Sequence, residues 1–336
     1  MASQAFMRRC WPLLAIVSLL AAGIAAGVSP ARAAGGDAKT ERKHGTSKHH
    51  HHKPRAKKHR RHHHRSRDHR HRRPPTRPPV PAPTPAPAPA PAPAASAGSP
   101  SGQAMPVGDL PGWRQVFADD LTTDVPVGSF PSAVSGRWGA YSDGWTDTSK
   151  NGTYMPSKVV SVRDGIMNLY LHTENGVHMV AVPYPKLPGA GAHNGMLYGR
   201  YAVRFRSDPV PGYKTAWLLW PDSGSWPGDG EIDFPEGRLD GTISAFMHRQ
   251  GASGGGDQDA FDSPATYTSW HTAVIEWSPA ATRFILDDKV VGTSTSRIPN
   301  TPMHWVLQTE TSLSGAPTDG AAGNVQVDWV AVYRPA

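Results

Sequence analysis

Val325-Gln326-Val327-Asp328-Trp329-Val330-Ala331-Val332-Tyr333 reads as a strand. Val325, Val327, Trp329, Ala331 and Tyr333 alternate with Gln326, Asp328, Val330 and Val332, and a period of two puts the two sets on opposite faces of a pleated ribbon. The pattern recurs upstream. His271, Ala273, Ile275 and Trp277 alternate with Thr272, Val274 and Glu276, and Tyr201, Val203 and Phe205 alternate with Ala202, Arg204 and Arg206. Breaks such as Pro211-Gly212 and Pro227-Gly228-Asp229-Gly230 separate the runs. No long segment carries a helical period capped at both ends. Many strands in one long region predict an all-β fold, an antiparallel β-sandwich with a concave face able to hold a polymer.

Composition divides the 336 residues into unlike parts. The chain holds 35 Lys and Arg against 27 Asp and Glu, a formal charge of +8 that would suggest a basic protein. That charge is distributed as +3 over residues 1–33, +13 over residues 34–77 and −8 over the remainder. The region able to fold is therefore acidic, which argues against a nucleic-acid partner. Ten of the eleven Trp lie beyond residue 110, where they can supply one sizeable core. Cys10 is the only cysteine, so a disulfide framework, a thiolate metal cluster and a cysteine nucleophile are all excluded.

Residues 1–33 have the order of a secretory signal: Arg8-Arg9, an apolar run from Trp11 to Val28, then Ala31-Arg32-Ala33. Cleavage after Ala33 is expected, with an uncut membrane anchor as the competing reading. Residues 34–73 form a tail with 11 of the 17 His, interleaved with Lys and Arg and without large apolar side chains to offset chain entropy. A segment of this kind suits retention on anionic cell-envelope polymers or weak transition-metal binding, and it equally suits a plain solvated spacer. Residues 74–104 are a Pro/Ala-rich arm of extended polyproline type. These features predict a secreted, monomeric protein, extracellular or held at the cell surface, with its working domain at residues 105–336.

The chemistry of that domain is concentrated in Gly230-Glu231-Ile232-Asp233-Phe234-Pro235-Glu236-Gly237. The domain contains five Glu, and two of them fall here with an Asp between. Glu231 and Asp233 share one face of a strand. Glu236 joins them if one extra residue is inserted after Asp233, and Pro235, unable to donate to a ladder, is where a bulge is tolerated. Three like charges on one face are costly, and Trp217, Trp220, Trp226 and Phe234 nearby argue against a merely solvated acidic strand. Two close carboxylates suit glycosidic bond cleavage, one as nucleophile and one as general acid. Their neighbours' charge should keep one of them protonated near neutrality.

The run from Trp226 to Glu236 resembles the active-site strand of glycoside hydrolase family 16 in its bulged E-x-D-x-x-E form. Tyr198-Gly199-Arg200-Tyr201, Thr215-Ala216-Trp217-Leu218-Leu219-Trp220, Trp270-His271-Thr272 with Glu276-Trp277, and Val327-Asp328-Trp329-Val330 agree with it in order. The resemblance implies a concanavalin-like β-jelly roll and an endo-acting retaining enzyme of laminarinase type. Its implied substrate is a β-linked polysaccharide, β-1,3-glucan or a related β-glucan. It makes Glu231 the nucleophile, Glu236 the acid/base and Asp233 the residue that tunes Glu231, with no cofactor needed. In a retaining enzyme the two carboxyls stand ~5–5.5 Å apart. Phe234-Pro235 and the segment Gln308-Thr309-Glu310-Thr311 depart from the usual family pattern and leave substrate identity open.

Trp226, His248, Trp217, Trp220, Arg200 and Gln308 are candidate substrate-binding residues. Trp226 adjoins the catalytic strand and is the better sugar platform. Trp217 and Trp220 lie at odd spacing and cannot both face the cleft of a regular strand. Arg200 either bonds sugar hydroxyls or pairs with an acid. Asp328 aligns with a position that can hold a structural calcium. The alternative function is a non-catalytic carbohydrate-binding or surface-adhesion protein on the same sandwich.

Overall fold

The computed structural model describes residues 99–190 and 193–336. The expected signal at 1–33, the tail at 34–73 and the arm up to residue 98 lie outside the described residues. Eighteen strands run through the rest: β1 (Trp113–Asp119), β2 (Trp138–Ala140), β3 (Trp145–Thr146), β4 (Gly152–Tyr154), β5 (Val160–Arg163), β6 (Ile166–Glu174), β7 (Val177–Val180), β8 (Pro183–Pro185) and β9 (Gly199–Ser207). There follow β10 (Tyr213–Pro221), β11 (Glu231–Arg238), β12 (Thr242–His248), β13 (Gln258–Thr266), β14 (His271–Trp277), β15 (Thr282–Leu286), β16 (Lys289–Ser294), β17 (Met303–Thr311) and β18 (Gly323–Pro335). Helix is confined to one 3-10 turn at Ser132–Val134 and one α-turn at Pro156–Val159 among the described residues.

The strands form two large sheets, as the period-two pattern predicts. The smaller has five strands in the order β13-β12-β11-β10-β17, which puts β11 at its centre. The larger follows β16-β15-β14-β9-β18-β6-β7-β4-β3, with β1 added on β18 and β5 on β6. Pairing is antiparallel except between β4 and β7. The chain passes back and forth between the sheets, giving the jelly-roll sandwich.

Aromatic rings join the two inner faces. Trp217 of β10 meets Phe205 of β9 edge-on at 5.2 Å, Trp305 of β17 meets Tyr201 at 5.5 Å, and Phe234 of β11 meets Phe284 of β15 at 5.6 Å. Each such pair contributes about 0.5–1.5 kcal/mol beyond the area it buries. The contacts also fix strand parity. With Trp217, Ile232 and Phe234 turned inward and fully buried, their neighbours one residue away must face the opposite side of the five-stranded sheet.

The folded domain begins earlier than expected. Ser99, Ser101 and Gln103, placed by sequence in the Pro/Ala arm, bond to the larger sheet: Ser99 Oγ donates to Asp328 at 2.6 Å and the Trp329 indole donates to the Gln103 carbonyl at 2.9 Å. Met105 packs there against Ala202, Val274 and Trp329 on the sheet's outer face. Without this cover Trp329 would be an exposed aromatic.

Candidate active site

The bulge inferred from Pro235 is present. Asp233 and Glu236 stand opposite Leu218 and Ala216 on β10, and opposite Phe246 and Ser244 on β12. Three steps along β11 thus match two on each neighbour, and the extra residue returns Glu236 to the face of Glu231 and Asp233. All three carboxylates share the outer face of the five-stranded sheet. Glu231 and Asp233 are buried, with Glu231 Oε2 and Asp233 Oδ2 lacking a hydrogen-bond partner. Gly230 sets up the entry to this strand: its φ is +74°, and a Cβ there would stand 2.6 Å from the His248 carbonyl.

His248 lies opposite Glu231 on β12. Its Nε2 is 3.6 Å from both Glu231 Oε2 and Asp233 Oδ2, while its Nδ1 bonds the Gly255 carbonyl at 2.8 Å. A carbonyl only accepts, so Nδ1 carries the proton and Nε2 turns a lone pair toward the two acids. Burial lowers the His248 pKa, against the pull of Glu236's charge, and keeps the ring neutral. Burial and then the Glu236 charge push the Glu231 carboxyl up to about 8. Burial and the charges of Glu231 and Glu236 hold Asp233 well above the usual carboxylate range. Three acceptor atoms within 4.8 Å of one another are thereby reconciled by a proton on the acid pair.

Glu236 meets a lysine. Lys214 Nζ lies 2.8 Å from Glu236 Oε1 and 3.8 Å from Glu310 Oε2, with Glu310 fully buried opposite Lys214 on β17. Tyr154 Oη at 2.9 Å, the Thr148 amide at 3.1 Å and the Thr148 hydroxyl all donate to Glu310 Oε1. Burial opposes the Lys214 charge, but Glu236 and Glu310 outweigh it and hold the ammonium above its ordinary range. Burial raises Glu310, and Lys214 offsets part of that effect. The sequence reading missed this group. Its trace was a lone charge in the strand YKTAWLLWP, at even spacing from Trp220 and so on the same face.

The remaining candidates separate. Trp226 stacks on Trp220 (centroids 6.3 Å, planes 16° apart) and stands edge-on to His248 at 5.9 Å. Gly255 backs its ring so closely that a Cβ would come within 2.6 Å of it. Gln308 is on the same outer face, opposite Ala216. Trp217 is not a substrate residue: it is 0% exposed and points between the sheets, because its parity is opposite to that of Trp220. Arg200 is not in the cleft either. It belongs to β9 in the other sheet, where its Nε lies 3.7 Å from Glu276 and its guanidinium rests 6.0 Å from the Tyr333 ring centre.

The residues around Asp328 do not fit a calcium ion. Asp328 Oδ2 accepts hydrogen bonds from the hydroxyls of Ser99 and Ser101 and from the Ser101 amide at 3.3 Å. Ser101 Oγ in turn accepts from Arg204 Nε at 3.0 Å. Calcium needs six to eight oxygen lone pairs, whereas here donors crowd the carboxylate and a guanidinium stands one hydroxyl away. Arg204 also lies 3.9 Å from Asp287. Its positive charge answers Asp328.

Comparison with known proteins agrees with this geometry. Residues 149–331, more than half of the chain, match the sequence profile of glycosyl hydrolases family 16. A β-glucanase from Rhodothermus marinus is 28% identical over 172 residues, covering 41% of this chain and 57% of that protein, so the match spans little more than half of the relative's length. The fold is that of the laminarinase from Rhodothermus marinus, with a TM-score of 0.55 at 20% identity, over 67% of this chain and 98% of that one. It is also that of a pseudo β-1,3-glucanase of Mycobacterium tuberculosis, an immunostimulatory antigen (TM-score 0.52, 20% identity, 66% and 99% coverage). At such identities the structural likeness establishes the fold.

Proposed function

The chain belongs to glycosyl hydrolases family 16, and from that premise we propose that it is an endo-acting, retaining hydrolase of a β-linked glucan, with β-1,3-glucan the first candidate. The observation that carries the reading is the bulge in β11. It brings Glu231, Asp233 and Glu236 to one face beside Trp226 and His248, an arrangement with chemical use and considerable electrostatic cost. The glucan assignment draws support from the names of the relatives, a β-glucanase and a laminarinase.

In this mechanism Glu231 attacks the anomeric carbon as the glycosidic C–O bond breaks, and Glu236 gives its proton to the departing oxygen. Water then attacks the glycosyl–Glu231 ester and returns a proton to Glu236, releasing Glu231 and a sugar of retained configuration. Glu231 reacts in the fraction of molecules in which it is ionised, the proton of the buried acid pair then resting on Asp233. Neutral His248, its Nε2 3.6 Å from both acids, faces that proton without adding a charge. Trp226, braced by Trp220 and Gly255, supplies a flat apolar surface for a sugar ring.

A reducing-end assay on laminarin, mixed-linkage glucan and galactan tests the substrate, and NMR of the first-formed anomer tests the stereochemistry. Glu231→Gln and Glu236→Gln should each abolish turnover, and the first anomer should be β. An α first product, or activity surviving in Glu231→Gln, would overturn the mechanism, while binding without turnover by the wild type would favour a carbohydrate-binding protein. We further propose export through the signal-like residues 1–33, followed by retention on anionic envelope polymers through the basic residues 34–77, which carry +13. N-terminal sequencing of the mature protein and salt extraction from cells test these two steps. The tail's attachment should tighten as pH falls through the His pKa of about 6.5.

A further inference from the structure

Lys214 has no counterpart in the chemistry above. Its side chain is 8% exposed, yet it projects a charge onto the sheet face that carries the reacting carboxylates. Glu310 cannot swing away from it, because Tyr154 and Thr148 hold Oε1, and Oε2 has no hydrogen-bond partner and faces the ammonium. A buried ion pair is a poor stabiliser, since several kcal/mol of desolvation per ion cancels most of the attraction. The lysine's placement, 2.8 Å from Glu236 and anchored from behind by a second acid, gives it a different use.

We propose that Lys214, clamped by Glu310, is a positioning residue for the acid/base: it fixes the Glu236 side chain and sets the pH at which that carboxyl gives up its proton. The inference rests on the reading of Glu236 as general acid. The charged and titratable groups facing Glu236 are Glu231 and Asp233 on its own strand, Lys214 on β10, Glu310 on β17 and His248 on β12. Asp262 of β13 is bonded to Ser244, the β12 residue opposite Glu236, and Tyr267 contacts Thr215 at 2.8 Å from below. Lys214 is the permanent cation in this set. Its ammonium, 2.8 Å from Glu236 Oε1, sets a positive charge against the acid/base on a face otherwise crowded with carboxyls. Glu310 draws part of the ammonium's charge away from Glu236, so the two residues act on the acid/base in opposite directions.

The experiment is the pH profile of kcat/KM, whose alkaline limb reports the general acid of the free enzyme, for the wild type, Lys214→Met, Lys214→Arg and Glu310→Gln. An opposite charge within hydrogen-bond reach moves a carboxyl's titration by ~1–3 pH units. The limb should rise by about one pH unit or more in Lys214→Met, fall in Glu310→Gln, and stay near the wild type in Lys214→Arg. In Lys214→Met kcat should drop more than KM changes. If Lys214→Met does not fold, the charge-neutral pair Lys214→Met with Glu310→Gln replaces it and should again raise the limb. Carbon-13 titration of the Glu236 carboxyl, assigned by its loss in Glu236→Gln, reads the same displacements without any turnover. Limbs and carboxyl titrations that shift in the same direction in Lys214→Met and Glu310→Gln, or that do not shift, would overturn the inference. Absence of turnover in the wild type, with the carboxyl displacements intact, would instead overturn only the proposed reaction.

Discussion

Glu231→Gln should make the protein more stable at slightly alkaline pH while removing its activity. The wild-type carboxyl is 4% exposed and its pKa is carried from 4.5 to about 8, first by burial and then by the charge of Glu236. In the native state it therefore keeps a proton that the unfolded chain has released, and stability falls as pH rises between those two values. At about 1.4 kcal/mol per tenfold change in proton affinity, the loss is on the order of 3–5 kcal/mol, a large share of the ~5–15 kcal/mol that holds a domain together. Burial leaves little solvent to screen it. Glutamine keeps the shape and has no proton to lose, so the variant should lose this part of the decline. Asp233 and Glu310, whose buried carboxyls are displaced in the same direction, contribute the remainder. Urea unfolding at pH 4.5, 6 and 8 measures the effect, with extrapolated free energies compared pairwise. Parallel declines in the two proteins between pH 4.5 and 8 would refute the reasoning, because Glu231 would then ionise at its ordinary pH in the fold.

Trp217→Ala should destabilise by about 3–5 kcal/mol, the usual cost of emptying a large aromatic site in a core, and thermal melting should register it at every pH. Trp226→Ala should leave melting nearly unchanged and raise KM for oligosaccharides; the opposite pattern would exchange the roles assigned to these two residues. Chelation of divalent cations should leave the melting temperature where it was, since Arg204 and two serines satisfy Asp328, and a drop restored by calcium would contradict that account. Arg204→Met should lower stability by roughly 1–3 kcal/mol, the penalty for leaving a buried acceptor and its relay short of a donor, as read in the same melts.

Some site residues were open to local reasoning and others were not, for one physical cause. Glu231, Asp233 and Glu236 lie within six positions of one another on a single strand, so strand parity and the donor missing from Pro235 suffice to place them on one face. Parity also tells Trp217 from Trp220. It does not tell which of the two points inward, because both are large and apolar; the Phe205 ring across the core decides that. Arg200 has an outward parity that is just as clear, but both sheets have an outer face, and only the order β14-β9-β18 assigns it to the sheet away from the carboxylates. The expected calcium site failed similarly. Asp328 was visible, while the Arg204 relay comes from a strand more than a hundred residues away and from serines assigned to a linker.

By itself the sequence determined the all-β class, the acidic domain behind a basic tail, and the bulged carboxylate strand. These follow from alternation, charge and the chemistry of proline, all of which act between near neighbours along the chain. The tertiary structure alone decided the electrostatic partners of the carboxylates: the neutral His248 from β12, and Lys214 from β10 braced by Glu310 from β17. A carboxyl's proton affinity depends on burial and on charges within a few ångströms in space, and those neighbours exist only once the strands have paired.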